Sequence, residues 1–151
     1  MNCKHPNVTT TAPSPTDVDH IGVIVRSIDV AKKFLGETLG LPLLKETDFP
    51  ERGTKAAFFQ LGGSEIEVIE CLHEEARRVR LGDNEARIEH IAVQVPQLNA
   101  MLEHLGAVGA QMDAEPIVYD GDLMSFSLPA TTMGVRFQFM QKGAGRGAHG
   151  S

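Results

Sequence analysis

The first periodic stretch of the chain spans residues 18–25. Ile21, Val23 and Val25 form one β-branched row, and Val18, His20, Gly22 and Ile24 form the other, the period-two pattern of a strand with two unlike faces. A helix is predicted next, capped by Ser27 or Asp29, running through Val30, Phe34 and Leu35 and stopped at Gly40. Ser and Asp accept from free N–H groups at a helix start, and Gly tolerates the left-handed turn at its end. The β-branched row is expected to pack on that helix. Residues 41–44 lead into a short strand, a polar turn covers 50–53, and strands at 54–61 and 65–71 flank the hairpin signal Gly62-Gly63.

The same order then recurs. Val18-Asp19-His20-Ile21-Gly22-Val23-Ile24-Val25 returns as Ile88-Glu89-His90-Ile91-Ala92-Val93-Gln94-Val95. A helix at 97–105 follows, with Leu98, Met101, Leu102 and Leu105 on its apolar side, then strands around 111–118, 123–128 and 135–141, with turns at Gly121 and 129–133. Internal repetition of this kind predicts two like units sharing one core. The expected architecture is α+β: two β-α-β-β-β modules, 17–72 and 88–142, in a single domain. The charged link 73–87, with Glu74-Glu75 and Arg77-Arg78, is read as a solvated connector or a short surface helix.

Composition narrows the function. With 151 residues, 42% of them hydrophobic, the chain can bury one substantial core. A formal net charge of −6 argues against nucleic acid or an anionic membrane as partner, because those need clustered Lys and Arg. No apolar run is long enough to span a membrane, and no signal peptide opens the chain. Residues 1–16, rich in Thr and Pro, are read as a flexible leader, and the Gly-rich 143–151 as a flexible tail. Cys3 and Cys71 give no disulfide framework, which fits a reducing, cytoplasmic location.

Strand parity carries the chemistry. The face that holds His20 in the first strand holds Glu65, Glu67, Ile69 and Cys71 in the strand 65–71, with Ile66 and Val68 opposite. In the last strand Val135, Phe137 and Phe139 form the apolar row, while Arg136, Gln138 and Met140 face the other way. Gln138 is the counterpart of Glu67, and His90 that of His20. Two imidazoles, a carboxylate and an amide oxygen at matched positions suit one divalent cation with a coordination position left open. Such an ion polarises a carbonyl and stabilises an enolate.

His20-Ile-Gly-Val, Phe34-Leu-Gly-Glu-Thr-Leu-Gly-Leu, Leu61-Gly62 before Ile66-Glu67-Val68-Ile69, His90-Ile-Ala-Val and Gly134-Val135 before Gln138 together resemble the vicinal oxygen chelate superfamily. It contains glyoxalase I, bleomycin resistance proteins, methylmalonyl-CoA epimerase and extradiol dioxygenases. The resemblance covers residues 17–141 and is nearest the epimerase and glyoxalase branch. It implies a curved mixed sheet around a central metal cup, with His20, Glu67, His90 and Gln138 on the four ligand positions for one Zn, Ni, Co, Mn or Fe ion. It also implies a small-molecule substrate with adjacent oxygens or a thioester, and a homodimer.

The departures from that pattern bear on mechanism. Epimerases of this branch carry Glu on the last strand and a second Glu early in the third, whereas this chain has Gln138 and, near Lys55, Ala56 and Ala57, no acid. An amide accepts no proton at neutral pH, so two-base epimerisation lacks both carriers, and Glu67 is the expected single proton carrier. Glu65, Arg136 and Met140 are the expected substrate wall. Two other readings stay open: a drug-sequestering protein without chemistry, and a non-haem iron dioxygenase, although the superfamily's dioxygenases place their carboxylate on the final strand.

Overall fold

A computed structural model of the protein describes residues 13–144. Cys3 and most of the expected leader and tail lie outside the described residues. The elements are β1 (Asp17–Val25), α1 (Ile28–Lys32), β2 (Leu43–Phe49), β3 (Thr54–Leu61), β4 (Ser64–Cys71), α2 (Glu74–Leu81), β5 (Ala86–Gln94), α3 (Leu98–Ala107), β6 (Ile117–Tyr119), β7 (Asp122–Phe126) and β8 (Arg136–Gln141). The eight strands form one mixed sheet in the order β2-β3-β4-β1-β5-β8-β7-β6. This is the expected α+β arrangement of two β-α-β-β-β halves. Within each half the first strand runs parallel to the last, β1 with β4 and β5 with β8, and the two first strands meet antiparallel at the centre.

Each half packs its helix on the outer face. Val23 and Val25 join Ile28, Leu35, Phe59, Ile66 and Val68 in one core cluster, and Val93, Leu98, Met101, Phe137 and Phe139 form the matching cluster of the second half. The rows predicted from alternation therefore point where they were expected to. Ser27 caps α1, its side chain accepting from the Val30 N–H. The helix then widens into a π turn at Lys33–Thr38, in which the Leu39 N–H donates to the Phe34 carbonyl at 2.9 Å. The looser turn keeps Leu35 on the sheet while the chain bends towards β2.

The link holds α2, the short helix that was one of its two expected forms, and Leu81 at its end is 1% exposed and packs with Ile24, Ile69 and Cys71 on the sheet's inner face. One expectation needs correction. The expected strand around 111–118 is reduced to one bridge, Met112 with Ser127, and the three residues of β6. Pro116 lies between them, and proline has no N–H to give a ladder. Among the described residues no helix is long and apolar enough to cross a membrane.

Two residues drop out of the central ladder. Val18 faces Val93 and His20 faces Ala92, so Asp19 has no opposite number; Gly22 faces His90 and Val23 faces Ile88, so Glu89 has none. Each is a one-residue β-bulge, which bends its strand and breaks strict alternation of side chains.

Candidate metal centre

The central pair β1 and β5 brings the two histidines together on the concave face. His20 and His90 are 5% and 4% exposed, and their Nε2 atoms lie 3.2 Å apart. Gly22 makes this approach possible: a Cβ there would stand 2.0 Å from Cε1 of His90. From β4, Glu67 sends Oε1 to 3.4 Å from both Nε2 atoms. These three are the one group of metal-capable side chains found among the described residues.

The triangle has the dimensions of a cation site. With edges of 3.2, 3.4 and 3.4 Å, its corners lie about 1.9 Å from their common centre, so an ion with bonds of about 2.1 Å fits just off its plane. Charge points the same way. Burial raises the Glu67 carboxyl, but hydrogen bonds and charge from His20 and His90 bring it down to about 2. Burial lowers His20, yet Asp19 and Glu67 lift it to about 9, and His90 is raised against its burial by Glu67 and Glu89. A divalent cation bound here would take the place of protons on the imidazoles and offset the negative charge of the surrounding carboxylates.

The acids that precede the histidines complete the cluster. His20 Nδ1 donates to Asp19 Oδ2 at 2.7 Å, and Asp19 Oδ1 accepts from Gln94 at 2.8 Å and faces Lys142 at 3.4 Å. Glu89 takes a two-pronged grip from Arg80 at 2.7 and 2.8 Å, and its Oε1 lies 3.4 Å from His90 Nδ1. Burial raises both acids, but these partners hold each at about 2. The sequence reading gave them no role, although an acid before each histidine is part of the repeat.

Gln138 occupies the same wall without joining the triangle. It is 4% exposed, stands beside Ala92 in the β5–β8 register, and donates through Nε2 to the sulfur of Met124 at 3.1 Å. The triangle, the two acids and Gln138 all line one cavity of about 610 Å³, which Glu65, Arg136, Met140, Phe58 and Tyr119 also line. Arg136 is engaged there, 3.0 Å from Asp113, 3.7 Å from Glu89 and 4.2 Å above the Phe126 ring. Met140 is 4% exposed and packs on Ala92 and Met124.

Residues 19–127 match the model of the glyoxalase/bleomycin resistance protein/dioxygenase superfamily. The chain belongs to this superfamily. An uncharacterized Bacillus subtilis protein, YqjC, is 32% identical over 121 residues, covering 78% of this chain and 86% of its own. Among solved structures, a hypothetical protein from Bacillus halodurans is 33% identical with a TM-score of 0.74, covering 83% of this chain and 94% of that one. Methylmalonyl-CoA epimerase from Mycobacterium tuberculosis superposes with a TM-score of 0.78 at 23% identity, covering 89% and 93%, a likeness of fold. Proteins of the superfamily generally bind a divalent metal ion. The superfamily match ends before β8, so Gln138 lies beyond it.

Proposed function

We propose that the protein is a metal-dependent lyase or isomerase acting at a carbon next to a carbonyl. The observation that carries this reading is the buried triangle of His20, His90 and Glu67 opening into a cavity of substrate size. His20, His90 and Glu67 would hold the ion, with Gln138 able to swing its amide oxygen in as a fourth ligand. A bound divalent ion would supply a Lewis acid for substrate oxygens. Glu67 is the proton carrier. Glu67 meets both histidines through Oε1, so Oε2 would take a proton from the activated carbon, the C–H electron pair passing into the adjacent carbonyl as an enolate. Returning that proton to the neighbouring carbon completes an isomerisation. Gln138 cannot share the task, which favours one-base chemistry over a two-base epimerisation.

The substrate class is a small molecule with adjacent oxygens or a thioester, the second supported by the likeness to an enzyme named for a coenzyme A ester. A homodimer and a reducing, cytoplasmic setting belong to the same proposal, the latter in keeping with the free, buried Cys71. A non-haem iron oxygenase is the second reading. Two histidines and one carboxylate are its usual ligand set, and the triangle presents that set while Gln138 is occupied with Met124.

Metal analysis of protein purified without chelator, beside His20→Ala and His90→Ala, tests the site. One divalent ion per chain, lost in both variants, is expected; no stoichiometric metal would overturn the enzyme reading. Glu67→Gln should then keep more metal than His90→Ala while abolishing exchange of solvent deuterium into carbonyl-adjacent positions of thioester and hemithioacetal probes. Oxygen uptake by the iron form, with no such exchange, would move the assignment to the oxygenase.

A further inference from the structure

On a regular strand the residue before an inward-facing histidine points outward. Here Asp19 and Glu89 would then meet the apolar rows of Val23 and Val25 and of Val93 that cover the helices, where an unpaired carboxylate is costly. Both instead occupy the two bulges of the β1–β5 ladder, and both carboxylates lie beside the Nδ1 of the following histidine. An unpaired residue in a central ladder gives up hydrogen bonding. The chain accepts that loss twice, at positions related by its internal repeat, and each time it gains an acid on the far nitrogen of a histidine.

We propose that Asp19 and Glu89 are paired positioning residues, turned inward by the two bulges, that orient the imidazoles of His20 and His90 towards a divalent cation. This rests on the metal-site reading given above. A carboxylate only accepts a hydrogen bond, so the Nδ1 proton of His20 goes to Asp19 and the Nε2 lone pair is directed into the triangle; His90 Nδ1 is buried without a hydrogen-bond partner, and Glu89 is the acceptor nearest to receive its proton when the ring turns towards an ion. Each acid is itself fixed from the other half or from the link: Asp19 by Gln94 and Lys142, Glu89 by Arg80. The pair is unequal. Asp19 holds His20 at 2.7 Å, whereas Glu89 stands 3.4 Å from His90 and its grip on Arg80 is tighter. His20 is therefore the rigid ligand and His90 the adjustable one.

The test is Co²⁺ and Zn²⁺ affinity by chelator competition, with the visible spectrum of the Co²⁺ form, in wild type, Asp19→Asn and Glu89→Gln. Asp19→Asn is expected to weaken binding about 10- to 100-fold and to alter the Co²⁺ spectrum, with a smaller loss in Glu89→Gln. Asp122→Asn removes a negative charge from the same cavity and from Lys142 without touching either histidine, and should change affinity far less. Thermal melting of the metal-free variants separates stability from positioning. Equal affinity and spectra in all four proteins would overturn the inference, as would Asp122→Asn matching Asp19→Asn, or melting losses with unchanged affinity. Failure of the wild type itself to bind either ion would count against the metal-site reading instead.

Discussion

Gly22→Ala puts the smallest possible side chain beneath the His90 ring. The added carbon would lie 2.0 Å from Cε1 and 2.4 Å from both Nδ1 and Nε2, where ordinary contact between such atoms begins near 3.5 Å. The ring must retreat by about 1.5 Å, several times the roughly 0.2 Å over which metal-ligand distances are tolerated. Retreat along the β1–β5 direction is blocked by the ladder itself, so the ring tips away from His20 and takes Nε2 out of the triangle. Metal affinity measured by chelator competition should fall at least about 100-fold, equivalent to about 2.8 kcal/mol. The fold should survive with a loss of about 1–3 kcal/mol, the range for one extra carbon in a packed site, read from urea unfolding of the metal-free protein. Unchanged affinity in a folded Gly22→Ala variant would refute the placement of His90. The repeat supplies the contrast, because Ala92 stands where Gly22 does in the first half and its Cβ is buried with Met124 and Met140.

Leu81→Ala should destabilise the protein by about 2–5 kcal/mol in urea unfolding, since Leu81 is fully enclosed by Ile24, Ile69 and Cys71; a loss below about 1 kcal/mol would return α2 to the role of a surface connector. Ser27→Ala removes the cap on the Val30 N–H and should lower stability by about 1 kcal/mol, checked by the shift in melting temperature. Gln138→Glu places a carboxylate at the second module's position and should raise the rate of deuterium wash-in at the carbon next to a thioester above that of the wild type; identical rates in wild type and variant would show that the missing acid is not what limits such chemistry.

Most of the site was legible because strands alternate. His20 and Glu67 could be assigned one face from residues such as Ile66, Val68 and Ile69, and His90 followed from the repeat. Alternation is a local rule, and what it missed comes from pairing. The bulges that turn Asp19 and Glu89 inward exist only in the register of β1 against β5, which neither strand encodes alone. Arg136 reads in sequence as part of the substrate wall, yet Asp113 and Glu89 engage it across distances that periodicity does not reach. Leu81 was hidden among the charges of its own helix, where the exposed Glu74, Glu75 and Arg78 describe the solvent side and not the side it packs. Gln138 sits in the predicted wall, but the choice of Met124 as its partner depends on β7, whose register to β8 no single-strand pattern carries.

The antiparallel meeting of β1 and β5 also fixes when the site can form. Its histidines are 70 positions apart, so the ladder that unites them closes a long loop and pays its entropy before any contact rewards it. His20 and Glu67 can come together inside the first half, but the triangle is complete only when the second half has docked. An ion that needs all three ligands therefore binds the native state and not the structure that precedes it. In kinetic terms, such an ion should slow unfolding and leave the folding rate almost untouched, which makes it a latch on the finished assembly.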